Sequence, residues 1–372
     1  MENTIMIFFV ITLTLFYVIL ILTYFIVWVR IPYFVSKPID TFYQYSILIP
    51  SRNEAKTIAL CIHDIIAQQY PTDHFEIIVI NDDSTDETAS IVEALIKKNP
   101  AISISILNTA TIGETGKKAA ITYGVSNAKG RYILMTDADC TRSKNWLATI
   151  NSFMVSTQSK MVYAPVVFEA NTLFEKIQSL EFAGLVAIGG AAIELQNPNM
   201  CSASNLVIEK NVFTELGGYS GSEHIATGDD EFLLHKVCRT YPSEVHFLKN
   251  AEAIVSTSAN NTLSELANQR KRWVSASTKY ENSYITAILV AAYLFNALIV
   301  FELFANPLIG ITMLVCKTIV EGLFLVNVLS FLKRPTYILL LPLAEPFHIL
   351  YVLFIGLWGN IGTYQWKNRT LR

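Results

Sequence analysis

Charge is what this sequence is short of. Asp, Glu, Lys and Arg make up 16% of its 372 residues, against about 25% in an average soluble chain, which sets aside a disordered or nucleic-acid-coating protein. The charges nearly cancel, 28 basic against 31 acidic, so no overall positive field awaits a polyanion and no nucleic acid is expected as a partner. Cysteine is scarce as well. Cys61, Cys140, Cys201, Cys238 and Cys316 include no CxxC pair, which argues against a disulfide framework or a zinc site and suits a reducing compartment. Apolar residues, by contrast, reach 52%, with a mean hydropathy of +0.38, and the excess is gathered at the two ends of the chain.

From Ile5 to Val29 no charged residue occurs. A helix needs about 20 apolar residues to cross a bilayer, whereas a secretory signal has a shorter run of about 7–15 after a basic start. The only charge ahead of this run is Glu2 and no small-residue cleavage site follows, so the segment reads as an uncleaved transmembrane anchor. A second apolar territory runs from Tyr284 to Gly362 and is divided at Asn306-Pro307 and at Lys333-Arg334-Pro335, predicting spans at 284–304, 308–331 and 337–358. Lys317, Glu321, Glu345 and His348 lie inside it. Intramembrane ionisable groups are functional candidates, although Lys317 and Glu321, four apart, also fit a simple ion pair along one helix face. Pro342 and Pro346 flank Glu345 and suggest a broken or re-entrant segment.

Lys and Arg bias sets orientation. Arg30 and Lys37 follow the first span, and Arg270, Lys271, Arg272 and Lys279 precede the second, so the middle of the chain is expected in the cytoplasm. Lys333-Arg334 fits a return to that side, while one further full span would place Lys367, Arg369 and Arg372 opposite. The expected organisation is an anchor over 1–32, a middle domain over 45–280, a membrane region over 284–362 and a basic tail over 363–372.

In the middle, short apolar runs alternate with helix-length stretches. Strands are expected at Ser46–Ile49, Glu76–Ile80, Ser103–Leu107 and Tyr132–Thr136, with helices at Ala55–Gln69, Ala89–Lys98 and Lys117–Asn127 between them. Such alternation implies a parallel sheet covered on both faces, and ligands of such sheets bind beyond the carboxyl ends of the strands. The polar residues fall there: Pro50-Ser51-Arg52-Asn53-Glu54, Asn81-Asp82-Asp83-Ser84-Thr85-Asp86 and Thr136-Asp137-Ala138-Asp139. Ser84 and Asp86 serve equally as helix caps. Asp137 and Asp139 are less easily explained so. At i and i+2 of an extended chain both point to one side, where they repel unless a cation lies between them. Hard oxygen ligands suit Mg²⁺ or Mn²⁺, and Mg²⁺ commonly combines one or two carboxylates with substrate phosphates.

Gly113-Glu114-Thr115-Gly116-Lys117-Lys118 resembles a P-loop only superficially, since two residues, not four, separate the glycines and no Ser or Thr follows the lysine. No GxGxxG accompanies the first strand. An NTPase or nicotinamide enzyme is therefore disfavoured, while Lys117 can meet a phosphate as a point charge or sit at a solvated helix start. Gly228-Asp229-Asp230-Glu231 heads an apolar segment; such acids are dipole partners of a helix start, or one of them is a general base towards a hydroxyl. Gln269-Arg270-Lys271-Arg272-Trp273 precedes the second membrane region. Snorkelling interfacial anchoring explains its basic residues but not its glutamine. Phe168–Ile193 has an apolar side of Phe174, Ile177, Leu180 and Phe182, which fits an interfacial helix or one laid on the core sheet.

In this order the five clusters resemble an inverting, membrane-associated glycosyltransferase of family 2 with the GT-A fold, a mixed, mainly parallel α/β sheet domain flanked by transmembrane helices. The chain is similar to ceramide-glucosyltransferase-like and cellulose- or hyaluronan-synthase-like enzymes over residues 46–275. The resemblance implies that Pro50, Arg52, Asn53 and Glu54 face the nucleotide. Asp82 matches the acid of the VDDGS-type motif that holds the base, although Asn81 and Asp83 depart from that motif. Lys117 matches the GK lysine near the diphosphate, and Asp137 and Asp139 match the metal-binding DxD. Asp230 matches the general base of the TED/GDD motif, with Asp229 as helper, and Gln269, Arg272 and Trp273 match QxxRW at the acceptor entrance and diphosphate. Ser204-Asn205 and Gly217-Gly218-Tyr219 fall at the acceptor-side loop and the GG(Y/F) turn. Implied partners are a UDP- or GDP-linked sugar, Mg²⁺ or Mn²⁺, and a lipid or glycan acceptor at the membrane. A single transfer to lipid is expected ahead of processive polysaccharide synthesis, and a catalytically silent scaffold ranks last because the DxD and base residues are intact.

Overall fold

The structure is a computed structural model, describing residues 2–222, 225, 227–277, 279, 282–359, 364–366 and 369–371. It divides into two units, one of Ile31–Glu169 with Gly189–Ala259 and one of Met1–Arg30, Ala170–Ile188 and Asn260–Arg372.

The first unit is built on apolar strands. After the long helix α1 (Glu2–Arg30), the run Tyr45–Ser51 forms β1, and α2 (Ile58–Ile66), β2 (Phe75–Asn81), α3 (Thr88–Lys98), β3 (Ser103–Asn108), α4 (Lys117–Asn127) and β4 (Tyr132–Met135) follow. Ile47, Leu48 and Ile49 are wholly buried, as expected for a central strand covered on both faces. At the start of β4 the chain passes so close to β1 that a Cβ on Gly130 would lie 2.5 Å from the Ser46 amide nitrogen; only glycine fits there. Next come β5 (Thr141–Arg142), α5 (Trp146–Thr157), β6 (Met161–Tyr163) and β7 (Val166–Glu169). The last elements of this unit, reached through α6 (Leu173–Glu194), are β8 (Leu206–Glu209), α7 (Lys210–Glu215), α8 (Asp229–Thr240), β9 (Val245–Phe247) and β10 (Val255–Ser258).

The main sheet has the order β3-β2-β1-β4-β8-β6-β9, and β5-β10-β7 form a small second sheet. Strands β1 to β4 pair in parallel as expected, but β8 runs antiparallel to both β4 and β6. The sheet is thus mixed and mainly parallel, as expected, and β8 is reached from α6 and a 3₁₀ turn at Ala203–Asn205 rather than by a β–α crossover.

The helical unit adds α9 (Leu263–Ser277), α10 (Ser283–Ala305), α11 (Pro307–Phe331) and α12 (Leu341–Trp358). Pro307 takes the first turn of α11, where its missing N–H costs nothing. The segment beginning at Pro335 opens as a 3₁₀ helix to Leu340 and continues into α12, so the stretch from Pro342 to Pro346 around Glu345 lies within an α-helix and is not broken. Among the described residues five helices are long and apolar enough to cross a membrane: α1, α6, α10, α11 and Pro335–Trp358. The expected start of α6 at Phe168 is corrected. Val166–Glu169 pairs with β10, and the helix begins after Thr172, where Thr172 and Glu175 form a reciprocal capping box.

Lys317, wholly buried, lies 2.6 Å from Glu321, the expected pair along one helix, and also 2.6 Å from Glu345 of α12. The Tyr17 hydroxyl donates to Glu321, tying α1 to the same cluster. Glu302, not singled out from sequence, is also buried within α10 and accepts a hydrogen bond from Asn306 at 2.9 Å. The side expected for the basic tail concerns Lys367 and Arg372, which lie outside the described residues.

Candidate active site

Three loops leave the carboxyl ends of β1, β2 and β4. The first two are stitched together. Arg52 donates to the carbonyls of Asp82 and Asp83 at 2.6 and 2.8 Å, the Asn53 amide N–H donates to Ser84 Oγ at 3.0 Å, and Asn53 Oδ1 accepts from Thr85 N at 2.8 Å. Asn53 and Asp83 both adopt positive φ, 53° and 57°, a backbone conformation that Asn and Asp tolerate best after glycine. Glu54 donates its amide to Thr88 Oγ1 at 2.8 Å. Asp86 caps α3, accepting from Thr88 N at 3.0 Å, so its capping reading holds, whereas Ser84 links loops instead. Asp82 is buried and accepts from Gly116 N at 3.0 Å and Thr109 Oγ1 at 3.3 Å. It fixes the turn, with Gly116 at φ 104°, that launches α4 and with it Lys117. Pro50 lies opposite Ile80, one residue before the β1 register ends at Ser51 opposite Asn81.

Lys117 is the hub of the site. Its Nζ lies 2.9 Å from Asp137 Oδ1 and 3.8 Å from Asp229 Oδ2. Burial works against its charge, yet Asp137, Asp229 and Asp230 together hold its pKa well above the ordinary lysine value. A solvated helix start does not describe it. Asp137 also accepts a hydrogen bond from Ser204 Oγ, and Asp139 accepts from Thr257 Oγ1 at 3.0 Å. Strand β4 ends at Met135, and Asp137 and Asp139 occupy a turn closed by Cys140 N donating to Asp137 O at 3.3 Å. Their juxtaposition therefore arises from a turn and not from the side-alternation of an extended chain.

Burial, and after it the neighbouring Asp137, push the Asp139 carboxyl above the ordinary range. Two carboxylates in mutual repulsion are what a cation would relieve. Oxygens of Asp137 and Asp139 and the Cys140 sulfur all lie within 4.8 Å of one another, but burial first, and then both aspartates, push the Cys140 thiol up, which keeps it protonated. The usable donors are thus two hard carboxylates, which fit Mg²⁺ or Mn²⁺ with further positions left for substrate oxygens.

Asp229 and Asp230 open α8 behind Gly228 at φ 70°. Asp230 accepts from Ala203 N at 2.9 Å and from Glu231 N at 3.0 Å. Burial, with the Asp229 charge second and Lys117 opposing, pushes its pKa up to about 6. That is the range of a general base at neutral pH. The acids are thus more than partners of the helix dipole.

Asn205 was placed from sequence only by resemblance. Wholly buried, it accepts from Trp146 Nε1 at 3.0 Å and donates to Pro165 O and Ala253 O at 2.9 and 2.7 Å, holding the loop that presents Ser204. Sequence reading missed Thr257, which lies in no motif.

Gln269, Arg272 and Trp273 belong to the helical unit. Gln269 Oε1 accepts from Asn260 Nδ2 at 2.8 Å and Trp273 stacks on Phe182 at 5.9 Å; the Arg272 carbonyl accepts from Ser275 Oγ at 2.7 Å. Snorkelling is corrected for Arg270, which is 1% exposed and paired with Glu181 at 2.6 Å.

A mixed, mostly parallel sheet carrying a carboxylate–lysine cluster at its strand ends defines the GT-A class of sugar-nucleotide-dependent fold. The Glycosyl transferase family 2 model matches residues 46–217, and the Glycosyl transferase family group 2 model matches residues 132–357. The chain belongs to glycosyltransferase family 2. It is 26% identical over 275 residues to the Probable glycosyltransferase YdaM of Bacillus subtilis (strain 168), covering 70% of this chain and 60% of that one. It is 35% identical over 119 residues to the 4,4'-diaponeurosporenoate glycosyltransferase of Staphylococcus aureus (strain MRSA252), covering 32% and 30%. The chain thus spans less than two thirds of the length of these curated relatives. Among solved structures it resembles the mannosyltransferase PcManGT from Pyrobaculum calidifontis, solved with GDP-Man and Mn²⁺, at a TM-score of 0.58 and 17% identity over 95% of this chain and 96% of that one.

Proposed function

We propose that this protein is an inverting glycosyltransferase that moves a sugar from a nucleoside diphosphate to a hydroxyl of a membrane-embedded lipid. The observation that carries the reading is the single cluster of Lys117, Asp137, Asp229 and Asp230, with the Asp230 carboxyl held near the pKa a base requires. Asp230 takes the proton of the acceptor hydroxyl, steered by the two amides that aim its oxygens, and Asp229 raises its basicity. The hydroxyl then attacks the anomeric carbon from the face opposite the leaving diphosphate. Lys117 meets the negative charge that develops there. Mg²⁺ or Mn²⁺ on Asp137 and Asp139 would supply Lewis-acid neutralisation of the same leaving group. Pro50, Arg52, Asn53, Glu54 and Asp82 shape the nucleotide side, and Gln269 and Trp273 serve the acceptor side.

Support for a lipid acceptor comes from the five helices of membrane-spanning length and from a relative whose name carries 4,4'-diaponeurosporenoate where the substrate stands. PcManGT, solved with GDP-Man and Mn²⁺, supports a sugar nucleotide and a divalent ion. The Lys and Arg bias supports a cytoplasmic face for residues 45–280, between the anchor over 1–32 and the membrane region over 284–362. The test is a screen of UDP- and GDP-linked sugars, with Mn²⁺ or Mg²⁺, on the full chain in nanodiscs of bacterial and archaeal lipid extracts, with product masses recorded. One discrete glycolipid is expected. A ladder of masses would show a processive synthase, and no metal-dependent turnover of any donor would refute the enzyme reading in favour of a scaffold.

A further inference from the structure

We propose that Glu181 and Arg270 are positioning residues for sugar transfer, fixing the orientation in which Gln269 and Trp273 are presented. This rests on the reading that Gln269 and Trp273 take part in transfer. Arg270 is an interior residue of the QxxRW segment, and each of its three guanidinium nitrogens donates a hydrogen bond. Nε and Nη2 fork onto the two oxygens of Glu181 at 3.3 and 2.6 Å, and Nη1 donates to Gln269 Oε1 at 2.6 Å. The Tyr351 hydroxyl hydrogen-bonds both members of the pair. The guanidinium carbon lies 4.1 Å from the centre of the Trp273 ring, whose stacking partner is Phe182, next to Glu181 on α6.

Two consequences follow from donor and acceptor inventory. A guanidinium has five N–H donors and no acceptor, so Gln269 can turn only its oxygen towards Arg270. Asn260 Nδ2 donates to the same oxygen at 2.8 Å. The Gln269 amide is thereby locked with its NH₂ group directed away from both donors, as a hydrogen-bond donor towards whatever the motif contacts. The Trp273 ring plane is likewise set by the planar cation against it. Stability alone does not call for such a pair, because replacing a buried ion pair by apolar residues of similar volume is often neutral or stabilising.

The experiment uses the full chain in nanodiscs with the donor identified by the screen above. Glu181→Gln, Arg270→Lys and the double variant Glu181→Met/Arg270→Met are compared by kcat, donor KM and thermal midpoint, with Gln269→Ala and Trp273→Ala alongside. A small misplacement of reacting groups can cost about 10²-fold, so kcat is expected to fall about 10- to 100-fold with donor KM within about twofold. The double variant is expected to fold as well as wild type and still lose kcat. A double variant with near wild-type kcat, or one that does not fold, would show that the pair only braces the helices and would overturn the proposal. Wild-type transfer by Gln269→Ala and Trp273→Ala would instead remove the functional reading beneath it.

Discussion

Asp230→Asn separates the cost of a poised base from its benefit. The Asp230 carboxyl is raised from 3.8 to about 6, roughly two pK units, or about 3 kcal/mol of penalty on the ionised folded form. In the folded protein the proton stays on up to about pH 6, whereas the unfolded chain releases it near pH 4. Between those values the folded state binds more protons, so wild-type stability falls as pH rises through the window. Asparagine has no proton to lose there. It does have one oxygen for two amide donors, Ala203 N and Glu231 N, a cost of about 1–3 kcal/mol that does not change with pH. The stability of Asp230→Asn relative to wild type should therefore improve by about 3 kcal/mol between pH 4 and pH 7. At roughly 2–4 °C per kcal/mol for a unit of this size, the gap in thermal midpoint should move by about 6–12 °C, measured in detergent across that pH range. In the same preparation transfer should vanish while donor binding survives. A midpoint difference constant from pH 4 to pH 7 would refute the buried, raised carboxyl, and near wild-type transfer would refute its role as base.

Wild-type kcat should rise with pH to a plateau above about 6, because the base acts ionised. Lys117→Met should lower transfer by about 10²–10³ and move the midpoint of that rise upward, since Lys117 opposes the raised pKa of Asp230; an unmoved midpoint contradicts the coupling. Asn205→Ala strands three buried hydrogen-bond partners and should destabilise by about 3 kcal/mol or more, with a loss below 1 kcal/mol in chemical unfolding counting against it. Lys317→Met leaves Glu321 and Glu345 without their cation and should cost about 3–5 kcal/mol. Adding Glu321→Gln and Glu345→Gln should restore most of the loss, and no restoration would contradict the pairing.

What the sequence made legible follows from how local the physics is. Strands β1 to β4 are apolar runs ended by polar loops, so their positions, and the placement of Asp82 and Asp137 beyond them, could be read to within a residue or two. The antiparallel β8 and the short β6 and β9 were not foreseen, because three or four apolar residues look alike in a strand and in a buried helix. Thr257 and Arg270 show the limit for side chains. Their roles depend on Asp139 and Glu181, each distant in sequence, and Arg270 sits in a basic stretch that on its own suggests membrane anchoring. The turn at Asp137–Asp139 gave the expected proximity through a different local geometry.

The most direct test of the central claim, that the strand-end aspartates receive the donor diphosphate together with a divalent ion, is Mn²⁺ titration followed by electron paramagnetic resonance on the full chain, with UDP or GDP present or absent. Tight Mn²⁺ binding that requires the nucleotide, and that is lost in Asp137→Ala and Asp139→Ala, is the predicted result. Mn²⁺ binding that is indifferent to nucleotide, or that persists in both variants, would contradict it.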